Sequence, residues 1–186
     1  MNSALSVIKH RRSTRSFKED PIQEEALGAI IEAGMYAPSA ANQQPWHFTV
    51  VQNKQIMNKI NQDAKAFFAK SEHPHFKRFA TSPDFHVFHN APCAVFISGD
   101  TRAMLPHVDC AAATQNMLLA AESLGVGSCW TQSVIHLFEG ETGERWIRQM
   151  EIPEHYRPLY AIVLGYKMKE NQTAPERKAN PVYYIQ

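Results

Sequence analysis

Between Asp109 and Gly125 the chain writes out one face of a helix, and the rest of the fold has to cover that face. Ala113, Asn116, Met117, Ala120, Ala121 and Leu124 fall at i, i+3, i+4, i+7, i+8 and i+11, the spacing that lines one side of an α-helix. Asp109 is placed to cap its start and Gly125 to end it. The apolar run Ala94 to Ser98 is short and reads as a buried strand, as do Phe48 to Val51 and Tyr160 to Leu164. A second helix is expected from Asp20-Pro21, with Asp20 as its cap, Pro21 in its first turn and Gln23 completing a capping box. Its buried face is Ile22, Ala26, Ile30 and Ala33, with Leu27, Ile31 and Gly34 alongside. Residues 4–10, 54–70 and 134–149 also read as helical, 36–46 as a polar loop and 71–90 as irregular. Helices and strands alternate without a regular βαβ rhythm. The expected class is therefore α+β, with helices packed on a small sheet, in one domain spanning 1–186.

Composition narrows the function classes. The 186 residues are 44% hydrophobic and 20% charged, with a formal net charge of +1. No global field favours nucleic acid or an anionic membrane. No stretch approaches the roughly 20 apolar residues of a membrane helix. The opening MNSALSVIKHRR lacks the apolar run of a secretory leader. Cys93, Cys110 and Cys129 are an odd set without CxxC spacing, so a disulfide framework or zinc site is not expected and the cytoplasm is the expected compartment.

Three constellations carry chemistry. Arg11, Arg12 and Arg15 lie within five residues, beside the hydroxyls of Ser13, Thr14 and Ser16. Guanidinium forks and hydroxyls suit a phosphate; a solvated basic turn is the other reading. The second is Ala37-Pro38-Ser39-Ala40-Ala41-Asn42-Gln43-Gln44-Pro45-Trp46, where small residues admit a planar ring and the amides can read its edges. By itself it is equally an ordinary loop. The third is Leu124-Gly125-Val126-Gly127-Ser128-Cys129-Trp130-Thr131. It lacks the third glycine of a dinucleotide fingerprint and follows a helix where that motif follows a strand, so a Rossmann reading fails.

The ordered set HRRSTRSF, APSAANQQPWHF, DCAAATQNMLLAAESLGVGSCW, Leu164-Gly165-Tyr166 and Arg177-Lys178 resembles the nitroreductase family of FMN enzymes across nearly the whole chain. The resemblance implies a central, mostly antiparallel sheet packed by helices, with a C-terminal strand added to the partner's sheet. It implies a homodimer with FMN at the interface. Arg11, Arg12 and Ser13 match positions that hold the FMN phosphate and ribityl chain, and Arg177 with Lys178 matches a C-terminal phosphate contact. Arg15 matches a cation that reaches the N1–O2 edge and stabilises the reduced, anionic flavin. Pro38, Ser39, Ala40 and Asn42 match the loop laid against the ring by the partner subunit. Gly127, Ser128 and Cys129 match a segment whose backbone amides face the ring near N5. Asn116 matches a family asparagine, or is a core amide satisfied by backbone. Residues 71–107 match least, which implies a variable substrate-covering region; residues 171–186 form a C-terminal extension.

The function implied is ping-pong transfer of hydride from NADH or NADPH, through FMN, to nitroaromatics, quinones or similar electron-poor acceptors. No residue is singled out as catalytic. A specialised flavin reductase or dehydrogenase of the same fold is the nearest alternative; an FMN storage or sensing protein is the rival from another class. His73, His75, His86 and His89 lack metal-ligand spacing, so no metal is expected. The partners expected are small molecules and a second copy of the chain, not nucleic acid or membrane.

Overall fold

A computed structural model describes residues 3–169, 173–179 and 182–185. Its centre is a four-stranded sheet: β1 (Trp46–Val51), β2 (Cys93–Asp100), β3 (Val126–Trp130) and β4 (Tyr156–Tyr166), in the order β1-β2-β4-β3. Every pairing is antiparallel. The helices are α1 (Ser3–His10), α2 (Glu24–Met35), α3 (Lys54–Lys70), α4 (Pro74–Thr81), α5 (Pro106–Ser123) and α6 (Glu141–Gln149). This is the expected α+β architecture. Among the described residues no helix is long and apolar enough to cross a membrane.

The sheet is buried on both faces, and the two-residue period of β2 shows how. Ala94 and Phe96 point into a cluster with Phe68, Phe88, Leu137 and Trp146. Cys93, Val95 and Ile97 point the other way, to Ile30, Met117, Ile162 and Leu164. Helices α2 and α5 therefore cover one face, while α3, α4 and α6 cover the other. The buried stripe of α5 includes Ala113, Met117 and Ala121, as the periodicity predicts, and Gly125 follows the helix at φ +72°.

Several boundaries differ from expectation, each for a local reason. Helix α2 begins at Glu24 with Gln23 in the cap position, where Asp20 was expected, and Gln23 makes no side-chain cap bond. Ile22, assigned to its face, instead precedes it and is buried against the core. Helix α5 begins at Pro106, so Asp109 lies inside its first turn and is not the cap. The irregular stretch 71–90 contains α4, started by Pro74 in its first turn and by His73, whose side chain accepts the His75 N–H. The helix expected over 134–149 is a 3₁₀ segment, Gln132–Glu139, followed by α6. The glycine-containing 126–130 segment, assigned to no strand from the sequence, is strand β3. Val182 to Ile185 forms no strand within its own chain, and all four residues are exposed.

Candidate functional site

After α1 the chain extends along the free side of β3. Ser13 bridges Ser128 in parallel, and Phe17 bridges Lys167. The Thr14 N–H donates to the Ser128 carbonyl at 2.9 Å, and the Lys18 N–H donates to the Tyr166 carbonyl at 2.9 Å. Gly127 allows this close approach. A Cβ there would lie 2.9 Å from Thr14 Oγ1 and 2.8 Å from Lys167 Cγ. The fold thus brings the basic run onto the Gly127–Cys129 segment.

The charges gathered there are uncompensated. Among the described residues no carboxylate pairs with Arg11, Arg12 or Arg15. Lys167 nearby is different: Glu122 meets its ammonium at 2.9 Å, with both side chains largely covered. Arg12 Nη1 donates to the Arg11 carbonyl at 2.6 Å, but its buried Nε has no partner among the described residues. Three guanidinium groups without counter-charge suit a ligand that brings its own negative charge. The solvated-turn reading fits less well, since Arg11 and Arg12 are half-buried.

Ser128 and Cys129 are 1% and 2% exposed, so this segment can offer a ligand main chain but not side chains. Burial pushes the Cys129 thiol up, against the opposing pull of Arg15, a hydrogen bond from Ser13, and Arg11. The thiol stays protonated at neutral pH and is a poor nucleophile.

One residue here was not singled out for this site by the sequence. His89 sits at φ +51° beside Asn90 at φ +54°, a left-handed pair that few non-glycine residues adopt. Burial, then Arg15, then His86 hold its pKa down at about 4, so it is a neutral imidazole among cations. A histidine four residues before a strand gives no sequence signal; only the turn that carries it toward Arg15 does.

The loop after α2 is a second rigid element. Ala41, Asn42 and Gln44 have φ of +50°, +53° and +47°. The Gln44 N–H donates to Ser39 Oγ at 3.0 Å, and Gln44 Nε2 donates to Asn42 Oδ1 at 3.1 Å. The Ala40 N–H donates to both oxygens of Asp109, at 3.1 and 3.2 Å, and the Met104 N–H donates to Gln43 Oε1 at 2.9 Å. Pro38 and Asn42 are exposed. The outside anchors lie on α5, on the chain leading into it and at the end of β2, where the Asp100 N–H donates to the Pro45 carbonyl; none lies in the basic 11–15 segment.

Other candidates are placed differently. Asn116 donates through Nδ2 to the Ala33 carbonyl at 3.1 Å, so its amide ties α5 to α2. Arg177 and Lys178 are exposed, outside any helix or strand. The aromatic residues of 71–107 turn inward: Phe76 stacks on Phe68, and Phe79 stacks on Phe85 with ring centroids 4.0 Å apart. A cavity of about 520 Å³ is lined by Phe17, Met57, His86, Asn90, Pro92 and Met168 among others, and by none of the predicted cofactor contacts.

Fold and site together define an α+β protein, covered on both faces of its sheet, with a basic segment bridged to the sheet edge at β3. The sequence profile of the nitroreductase family matches residues 8–166. The chain is 36% identical over 170 residues to a protein of Methanothermobacter thermautotrophicus named as an NADH dehydrogenase/NAD(P)H nitroreductase, covering 87% of this chain and 76% of that one. A nitroreductase of Bacteroides fragilis, solved with bound FMN, superposes with a TM-score of 0.93 at 32% identity over all of both chains. A nitroreductase of Desulfitobacterium hafniense, also with bound FMN, gives 0.91 at 30%, again over all of both chains. The chain belongs to the nitroreductase family.

Proposed function

We propose that this chain is an FMN-dependent oxidoreductase that uses NADH or NADPH to reduce electron-poor acceptors such as nitroaromatics or quinones. The observation that carries the reading is the set of guanidinium groups at Arg11, Arg12 and Arg15 that have no counter-charge among the described residues. An FMN phosphate brings nearly two negative charges and three acceptor oxygens, which is what those donors lack. The bound FMN of the two similar solved nitroreductases supports the same assignment.

In this reading Arg11, Arg12 and Ser13 hold the phosphate and ribityl chain, with Arg177 and Lys178 closing on it from the C-terminal extension. Arg15 faces the N1 edge, where its charge favours the reduced cofactor. Gly127, Ser128 and Cys129 present main chain to the ring; Pro38, Ser39, Ala40 and Asn42 reach the flavin of a second copy. When bound, FMN supplies the redox chemistry, taking hydride from reduced nicotinamide and passing it to the acceptor. His89, held neutral, donates no proton near pH 7, so protons come from water. The two substrates use one site in turn, which accounts for the missing nucleotide fingerprint. Within 71–107 the phenylalanines face the core, so the residues of this segment open to a small molecule are those lining the cavity, His86 and Asn90 among them.

A homodimer fits the surface. Leu5 and Ile8 on α1, Met35 on α2 and Val108 on α5 are all more than half exposed, and α1 and α2 both pack on α5. An apolar surface of this kind marks a protein interface. The test is simple. The purified protein should be yellow, release FMN on heating as judged by chromatography, bleach with anaerobic NADH or NADPH, and recover colour with an acceptor. Release of FAD, or no flavin after reconstitution, would remove the assignment. Bound FMN that nicotinamide does not bleach would point to storage or sensing.

A further inference from the structure

Asp109 is the carboxylate whose position the catalytic reading leaves unexplained. It is 4% exposed and lies in the first turn of α5, yet the helix starts three residues earlier without a side-chain cap. No lysine, arginine or histidine pairs with it among the described residues. Burying a carboxylate is costly unless it is hydrogen-bonded or opposed by positive charge. Its oxygens instead meet one main-chain donor, the Ala40 N–H, at 3.1 and 3.2 Å, and the positive end of the α5 dipole lies beside it.

Ala40 opens the turn in which Ala41, Asn42 and Gln44 are all left-handed. Non-glycine residues hold that conformation only where their surroundings fix it. Within the turn, Ser39 and Asn42 each accept a bond from Gln44, which shapes the loop but does not attach it to the body. Attachment comes from Asp109, from Met104 N–H donating to Gln43 at 2.9 Å, and from Asp100 N–H donating to the Pro45 carbonyl at 2.8 Å. Of the three, only Asp109 is both charged and buried.

We propose that Asp109 is a positioning residue for cofactor binding: it holds the Ala40 N–H and so fixes the Pro38–Gln44 turn in the shape that meets the flavin of the partner subunit. The proposal rests on the assignment of that loop to the flavin. Asp109 touches neither cofactor nor substrate. Its effect is to make the loop's strained form the resident one, so that binding does not have to order it.

Two substitutions and two readouts test this in the flavin-loaded protein. Asp109→Ala removes the acceptor; Asp109→Asn keeps one oxygen within reach of Ala40 and guards against a variant that fails to fold. Hydrogen exchange is followed at Ala40 to Gln44 and, as a reference, at the amides of β2; FMN affinity is measured alongside. Asp109→Ala should speed exchange at the loop at least tenfold with β2 unchanged. It should also weaken FMN binding about tenfold to a hundredfold, the range set by one charged hydrogen bond. Asp109→Asn should restore most of both. Parental protection at Ala40 in Asp109→Ala overturns the anchor. Equal loosening of β2 overturns it too, because Asp109 would then be general core. Fast exchange at Ala40 with unchanged FMN affinity, in Asp109→Ala and in Asn42→Ala alike, overturns the flavin-facing assignment of the loop and leaves the anchor standing.

Discussion

Arg11 and Arg15 are four residues apart, and their removal should have different consequences. Arg11→Ala should weaken FMN binding with little change in turnover at flavin saturation. A hydrogen bond to a charged group contributes about 1.5–3 kcal/mol, which is about tenfold to a hundredfold in affinity. Arg15→Ala should lower the flavin midpoint potential, because a cation at N1 acts on the reduced form; an unchanged potential would make Arg15 another phosphate contact. His89 carries a pH effect. Its pKa is held at about 4, below the ordinary 6.5, so the unfolded chain takes up this proton first as the pH falls. Its contribution is therefore constant above about pH 6.5 and is lost between there and about pH 4. His47 and His86 are shifted the same way by burial. Melting temperatures of flavin-free protein from pH 7.5 to 4.5 should fall, and should fall less in His89→Gln. At this scale the basic run was legible because like charges within five residues are unusual in any setting. His89 was not, because its role comes from a turn that no residue type announces.

Among the elements, the edge between β3 and the bridged 13–17 segment is the most sensitive. Gly127→Ala puts a methyl group 2.8–2.9 Å from Thr14 and Lys167. It should cost about 1–3 kcal/mol, the usual range for overpacking, and loosen the Arg11–Arg15 run with it. Thermal unfolding together with FMN titration measures both, and parental values in both would show that the edge can relax. Elements with a strong period were read well: α3 lies where expected, and the buried stripe of α5 was visible in its spacing. Starts were read poorly. Asp20 and Asp109 are each good capping residues by chemistry, but the first caps nothing and the second turns to Ala40. Strand β3 was missed because Gly127 and Ser128 look like loop composition; they are in a strand because 126–130 pairs with β4, and Gly127 leaves room for Thr14 beside it. Helix α4 was missed because the prolines and histidines in and around it hide a short helix that begins at Pro74.

For the whole molecule, the prediction concerns the second copy. Val182, Tyr183, Tyr184 and Ile185 are between 60% and 91% exposed, and a β-prone apolar run left so open calls for a partner edge. Deleting residues 179–186 should weaken dimerisation and FMN retention together, measured by light scattering and flavin absorbance on the same sample. A truncated monomer that keeps its FMN would argue that each chain holds its flavin alone. Apart from Arg177 and Lys178, the residues predicted for the cofactor fall into two sets within one chain, the basic 11–15 segment with β3 and the Pro38–Gln44 loop, with separate anchors. That separation was legible only through the family resemblance, since no periodicity in one chain can encode where another chain sits.

Guanidinium groups without counter-charge also make the flavin-free protein responsive to its solution. Any anion that binds the folded chain and not the unfolded one raises stability by RT ln(1 + [L]/Kd). Phosphate and sulfate carry the same geometry as the cofactor's own terminal group, so they should raise the melting temperature more than chloride at equal ionic strength. The same occupancy competes with reconstitution. The apparent FMN dissociation constant should grow linearly with phosphate concentration, so a titration in phosphate buffer understates the affinity that a buffer of bulky, monovalent ions would reveal.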